Sequence, residues 1–232
     1  MENLLNLLFP ARCLFCGDYG RTFCAECLSK CRPMKEDFCI VCGKTSERGY
    51  THPNCLSAPT PTELFCCFEY EGLVRLCIKK SKYSGRQFSA LKTLAVAGAL
   101  YAKNLGKDYS DFAAVPIPLN SMRFKKRGFN QAELIADILC RVFKIKKDVS
   151  ILTRKKNTAA QHANNRKERF TNIEGAFGLG SGVGPGVLRG RKLLLVDDIS
   201  TSGATLLEAA KVLYTVGALE VRCFALSRKM LE

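Results

Sequence analysis

Leu193-Leu194-Leu195-Val196-Asp197-Asp198-Ile199-Ser200-Thr201-Ser202-Gly203-Ala204-Thr205 decides how this chain reads. Four apolar residues lead into two acids and then into a small, hydroxyl-rich turn. The apolar run predicts a parallel strand buried on both faces. Beyond the turn, Leu206, Leu207, Ala209, Ala210, Val212 and Leu213 recur at helical spacing. The order is strand, tight loop, helix start. A helix start offers unpaired backbone N–H groups and a partial positive charge, and both favour an anion. Gly203 lets the backbone approach a ligand closely, and Thr201, Ser202 and Thr205 add hydroxyl donors. Asp197 and Asp198 can accept bonds from the vicinal hydroxyls of a ribose. A ribose 5-phosphate therefore fits the stretch from end to end.

These residues resemble the PRPP-binding loop of the type I phosphoribosyltransferases (PRPP is 5-phosphoribosyl 1-diphosphate). The resemblance implies that Asp197 and Asp198 hold the ribose O2 and O3. It implies that Ser200, Thr201, Ser202, Gly203, Ala204 and Thr205 hold the 5-phosphate, and that Mg²⁺ accompanies the PRPP.

Working outward, Phe112 to Leu119 predicts a strand stopped by prolines. A basic loop, Arg123-Phe124-Lys125-Lys126-Arg127, and a helix from about Asn130 to Phe143 follow it. In the phosphoribosyltransferases the loop in this place helps hold the pyrophosphate. Leu64 to Tyr70 predicts an aromatic-rich strand, Leu73 to Ile78 a short helix, and Lys79, Lys80, Lys82, Tyr83 and Gly85 a basic turn. Leu91, Leu94, Ala95, Ala97, Gly98, Leu100 and Tyr101 describe a buried helix, and Glu220 to Leu226 a closing strand. Cys66, Cys67 and Cys77 lack ligand spacing and are expected in the core. Strands alternate with helices, so residues about 61–232 are expected to form an α/β domain, a mainly parallel sheet flanked by helices; the resemblance implies that this domain is type I phosphoribosyltransferase-like. Its ligand should lie at the carboxyl ends of the strands.

The polar stretch from Arg154 to Asn172 resembles the flexible hood loop of the type I enzymes, which closes over PRPP and excludes water. Gly178 to Gly190 holds six glycines and reads as a flexible connector.

The first 60 residues read differently. Eight of the thirteen cysteines lie before residue 56, in the pattern Cys13-x-x-Cys16-Gly17, Cys24-x-x-Cys27, Cys39-x-x-Cys42-Gly43 and His52-x-x-Cys55. Each knuckle sets two ligands on one tight turn, and two knuckles complete a tetrahedron around zinc. Two structural zinc ions are expected, one on Cys13, Cys16, Cys24 and Cys27, the other on Cys39, Cys42, His52 and Cys55. An interleaved pairing is an alternative. Cys31 has no assigned role. So small a segment, with few large apolar residues, depends on metal to fold. Ser57 to Thr62, with Pro59 and Pro61, reads as the linker, dividing a double zinc-ribbon domain at 1–60 from the phosphoribosyltransferase-like domain at 61–232.

Val115-Pro116-Ile117-Pro118-Leu119, Arg127-Gly128-Phe129-Asn130-Gln131-Ala132-Glu133, Lys82-Tyr83-x-Gly85 and the cysteine-rich front together resemble the ComF competence family, along essentially the whole chain. Gln161, Arg169 and Asn172 match that family's Q…R…N pattern. Two departures stand out: His52, where members often carry cysteine, and the extra Cys31. The resemblance implies a zinc domain joined to a phosphoribosyltransferase-like domain, and the handling of single-stranded DNA in natural transformation. Competence helicase or uptake proteins are then expected partners.

Charge agrees with a polyanionic partner. The net charge is +15, and it is uneven: residues 1–60 carry 7 basic against 6 acidic side chains, residues 123–169 carry 14 against 4. Lys82, Arg123, Arg127, Arg166 and Arg169 are the expected contacts to a diphosphate or a nucleic-acid backbone. No apolar run reaches the roughly 18 residues needed to span a bilayer. Met1 to Phe9 lacks a basic region and a cleavage site, reads as a short amphipathic helix, and makes a poor signal peptide; a cytoplasmic protein is expected. An active transferase, displacing pyrophosphate from PRPP with a nitrogen nucleophile, is the alternative to DNA handling. A zinc-stabilised interaction module with an inactive site is the second alternative.

Overall fold

The computed structural model describes residues 11–82, 88–156 and 166–230. Met1 to Phe9, Tyr83, Gly85 and Gln161 lie outside them. The strands are β1 Glu63–Glu69, β2 Phe112–Pro116, β3 Lys146–Lys147, β4 Leu152–Arg154, β5 Phe177–Leu179, β6 Lys192–Ser200 and β7 Glu220–Arg228. The helices are α1 Ala25–Ser29, α2 Gly72–Ser81, α3 Phe88–Asn104, α4 Ser121–Arg127, α5 Gln131–Phe143, α6 Arg166–Ile173 and α7 Ala204–Thr215. Five strands form one sheet in the order β1-β7-β6-β2-β3, and every pairing in it is parallel. β4 and β5 form a separate antiparallel pair.

Period-two alternation distributes side chains between two cores. Leu194, Val196, Phe224, Leu226, Phe65 and Cys67 face a cluster that also holds Val74 of α2, Leu91 and Leu94 of α3, and Ile135 and Leu139 of α5. Leu193, Leu195, Cys223, Ala225, Leu64 and Cys66 face a second cluster, completed by Leu206, Ala210 and Leu213 of α7. Both faces are covered, which is why the strand at 193–196 is uninterruptedly apolar. Cys66, Cys67 and Cys77 are buried, as the sequence led us to expect.

The cysteine-rich segment straddles the edge strand β1. Its first half enters one core through Cys13, Phe23, Cys27 and Cys31, and its second half enters the other through Ile40. Between them the chain runs along β1: Met34 N–H donates to Cys67 O at 2.9 Å and Glu69 N–H to Arg32 O at 3.0 Å. A sheet edge that would otherwise stand open is covered. Cys31, without a role in the ligand pattern, is a core residue.

Several local expectations need correction. Lys79 and Lys80 belong to the last turn of α2, where cations suit the helix dipole, and only Lys82 follows as its cap. The strand at 112 ends at Pro116. The basic loop at 123–127 is helical, because the Asn120 side chain accepts from the N–H groups of Met122 and Arg123 and Gly128 ends the turn in the left-handed region. Arg166 to Ile173 is helix and not open loop. The glycine-rich connector starts inside β5 and buries Leu188. The stretch at 57–62 is pinned: Thr51 Oγ1 donates to Pro61 O at 2.6 Å and Tyr214 OH to Thr60 O at 3.1 Å.

Candidate functional site

Asp197 and Asp198 lie in the carboxyl-terminal half of the central strand β6, which stays extended as far as Ser200. They line a cavity of about 170 Å³, with Thr205 of α7 also on its wall. Four cations complete the lining: Lys82, Arg123, Arg127 and Arg154.

The acids are held by their own strand and its neighbour. Asp198 N–H donates to Asp197 Oδ1 at 2.9 Å, and Ser227 Oγ of β7 donates to Asp198 O at 3.2 Å. Lys82 Nζ stands 3.2 Å from Asp198 Oδ2. Burial and then repulsion from Asp198 push the Asp197 carboxyl up to about 8, against the Asp198 N–H and the Lys82 charge, which favour ionisation. A carboxyl raised in this way keeps its proton more readily, and in that form can donate as well as accept.

The cations come from three elements. Arg123 and Arg127 are four residues apart on α4 and project to one side. The turn into α5 fixes that helix: Asn130 Nδ2 donates to Ile117 O at 3.0 Å while its Oδ1 accepts from Ala132 N–H at 3.1 Å. Phe129 packs edge-on to Phe88, ring centroids 5.1 Å apart. Arg127 Nη1 donates to Gln131 Oε1 at 3.3 Å. Arg154 ends β4, its guanidinium 5.3 Å from the centre of the Phe177 ring. Burial, and then the Arg123 charge, draw it below its ordinary value.

The turn from Ser200 to Thr205 opens onto α7. Gly203 takes φ +79° and is its N-cap; Ser202 Oγ accepts from Ala204 N–H at 3.4 Å, and the other N–H groups of a first helical turn favour an anion. Thr205 lines the cavity; Ser200, Ser202 and Ala204 are buried. Of the five expected anion contacts, the structure gathers Lys82, Arg123 and Arg127 and leaves two elsewhere. Arg166 donates through Nη2 to Ile40 O at 3.4 Å and to Val41 O. Arg169, on α6, has its Nε buried without a partner among the described residues. Sequence reasoning missed Arg154 and Gln131 as cavity residues. The apolar pair Ile151-Leu152 just ahead was the available signal that Arg154 ends a strand.

The metal ligands assemble in sequence order. The ligand atoms of Cys13, Cys16, Cys24 and Cys27 lie within 4.8 Å of one another, and so do those of Cys39, Cys42, His52 and Cys55. Cys16 Sγ and Cys24 Sγ are 3.5 Å apart, near the ~3.8 Å edge of a tetrahedron with zinc–sulfur bonds of about 2.3 Å. His52 Nδ1 stands 3.3 Å from Cys42 Sγ, and its Nε2 lies 3.0 Å from Thr45 O. That carbonyl fixes the tautomer with a proton on Nε2, leaving Nδ1 to face the thiolates. The set fits zinc.

A double zinc ribbon domain model matches residues 4–56 and a phosphoribosyl transferase domain model matches residues 125–231. DNA utilization protein YhgH of Escherichia coli O157:H7 is 30% identical over 234 residues, 97% of this chain and 100% of that one. Competence protein ComFC of Streptococcus pneumoniae is 30% identical over 230 residues, 94% of this chain and 100% of that one. Competence protein F of Haemophilus influenzae is 29% identical over 227 residues, 95% and 98% of the two chains. No helix among the described residues is long and apolar enough to cross a membrane.

Proposed function

Since the chain belongs to the ComF family of competence and DNA utilization proteins, we propose that it binds PRPP, or a related ribose phosphate, with Mg²⁺ and handles single-stranded DNA. One observation carries this: an acid pair, a helix-start turn and four cations meet on one cavity at the carboxyl end of the central strand. The acids suit vicinal hydroxyls. The first turn of α7, with Thr205 on the cavity wall, suits a terminal phosphate. Lys82, Arg123, Arg127 and Arg154 suit the charge of a diphosphate. Bound Mg²⁺ would neutralise part of that charge; Asp197 and Asp198 are the residues able to face it. Two structural zinc ions hold the ribbons, which precede residue 60 in the chain and share the sheet's two cores.

DNA handling draws on the basic bias outside the ribbons. Arg123, Lys125 and Arg127 on α4, with Met122 and Phe124 exposed beside them, set cations and apolar faces together, the combination that tracks a single strand. Titrating a single-stranded oligonucleotide by fluorescence anisotropy tests this. Affinity should fall steeply with salt, log K declining by about 0.7 for each phosphate neutralised per decade of salt. Binding that ignores salt would remove the DNA role.

Transferase activity is the second reading, favoured by cations placed to receive a departing diphosphate. Pyrophosphate release from PRPP with a panel of bases and amines would establish it; release with none would leave a ligand-binding domain.

A further inference from the structure

The second zinc knuckle, Cys39-Ile40-Val41-Cys42, touches the phosphate-binding turn and the helix predicted as hood. Ile40 is 1% exposed and shares a core cluster with Ala204, the first residue of α7. A Cβ at Gly203 would lie 3.0 Å from both Ile40 O and Ile40 Cγ1, so knuckle and turn are already in close contact. On the other side, Arg166 of α6 donates to the carbonyls of Ile40 and Val41. A third contact lies one residue upstream. The guanidinium of Arg228 sits 4.6 Å over the Phe38 ring, and Arg228 pairs in register with Ser200, where the turn begins. Ser200 and Arg228 are both buried.

A metal knuckle is an unusual neighbour for such a turn. Its backbone conformation is set by the two thiolates that flank Ile40, and these converge only around the ion. Without the ion, the knuckle keeps its Gly43 N–H bond to Cys39 O at 2.9 Å and the buried Ile40 side chain, but loses the closure of Cys42 on Cys39 that aims the Ile40 carbonyl. The acceptors of Arg166 and the surface beneath Gly203 would then be held less firmly.

We infer that the second zinc knuckle is a positioning element for the ribose-phosphate site, so that zinc retention at Cys39, Cys42, His52 and Cys55 and sugar-phosphate binding at Gly203–Thr205 strengthen one another. The inference rests on the ligand reading above. The first zinc cluster is different: its buried members pack against α2, α3 and α5 on the opposite face of the sheet, away from the turn. Linkage is reciprocal, because the knuckle has one free energy that both ligands bias. A sugar phosphate that tightens the turn must raise the affinity for one zinc and leave the other alone, and slower release of that zinc is the expected kinetic sign.

The test is zinc release from the full, zinc-loaded chain into excess chelator, followed by the absorbance of a chelating dye, with and without saturating ribose 5-phosphate. Ribose 5-phosphate binding is measured by calorimetry on the same preparation. The expected result is two phases, one zinc per chain slowed at least about fivefold by ribose 5-phosphate, the lower end of ordinary site coupling, and the other unchanged. Arg166→Ala, a change on a partly exposed side chain, should speed the ligand-free release of that same zinc several-fold. Measurable binding with both release rates unmoved overturns the coupling and leaves the ligand reading standing. Absence of binding heat at two well-separated temperatures, which rules out a binding enthalpy that happens to be zero, overturns both. Equal slowing of the two phases assigns the effect to general stabilisation and also overturns the coupling.

Discussion

The raised carboxyl of Asp197 should make binding of a ribose phosphate a pH-dependent event of definite size. The carboxyl is pushed up to about 8 by burial and by the Asp198 charge. A ribose whose hydroxyls donate to the acid pair, with Mg²⁺ beside it, needs both acids ionised. Each binding event at pH 7 should therefore release close to one proton, about nine-tenths for a group one unit below its pKa. Affinity should rise up to about tenfold per pH unit below pH 8, since one unit is about 1.4 kcal/mol, and level off above it. Working above pH 7 keeps the ligand's own phosphate, which titrates near pH 6, out of the measurement. The assay is titration calorimetry with PRPP and Mg²⁺ in two buffers of unlike ionisation heat. The slope against buffer heat gives the proton count. Asp197→Asn should abolish that slope and weaken binding. A slope of zero in the native protein would mean that the acid pair is ionised before the ligand arrives, and would refute the reasoning. The same carboxyl has a stability signature. Between about 4 and 8 the folded chain holds a proton that the unfolded chain has lost, so the native state binds more protons and stability falls as pH rises through that window.

Lys107 and Glu63 form a buried ion pair, with Lys107 also donating to Arg48 O at 2.6 Å. Lys107→Met leaves Glu63 buried with only Arg222 Nε, at 3.5 Å, and should cost about 3 kcal/mol in denaturant unfolding; Lys107→Met with Glu63→Gln should recover part of it. Gly203→Ala forces a left-handed alanine against Ile40 O and should cost about 1–3 kcal/mol, with a marked loss of ribose phosphate affinity in the same calorimeter. Stripping both metals should lower the melting temperature of the whole chain by at least about 10 °C, at about 2–4 °C per kcal/mol for a chain of this size. Phe23 and Cys27 share the sheet's own core, so scanning calorimetry should show no separate low-temperature transition for the ribbons.

The parts of this molecule written in local pattern were legible. Leu193 to Val196 read as a strand covered on both sides, and the spacing of Cys13 to Cys55 set out eight ligands for two zinc ions, with an interleaved pairing still open. The sheet order was not legible, because parallel pairing is made through long-range contacts that leave no local trace. α4 was missed for a different reason. Seven residues with four cations look like a solvated loop, and only the Asn120 cap and the Gly128 stop reveal a helix. A basic residue in a polar stretch suggests an anion, and nothing in the local pattern signals that Arg166 also bonds two carbonyls supplied from residues 40 and 41. Such a partner lies 125 residues away and cannot be read from spacing. The same holds for Arg154, whose place in the cavity depends on β4 pairing with β5.

The most direct measurement is a crystal structure of the full chain with PRPP and Mg²⁺. The ribose O2 and O3 should lie within hydrogen-bond reach of the carboxylates of Asp197 and Asp198. The 5-phosphate should sit on the backbone N–H groups between Thr201 and Thr205. A ligand bound anywhere else, or a cavity filled by the side chains of α4 with the turn rotated away from it, would contradict the account.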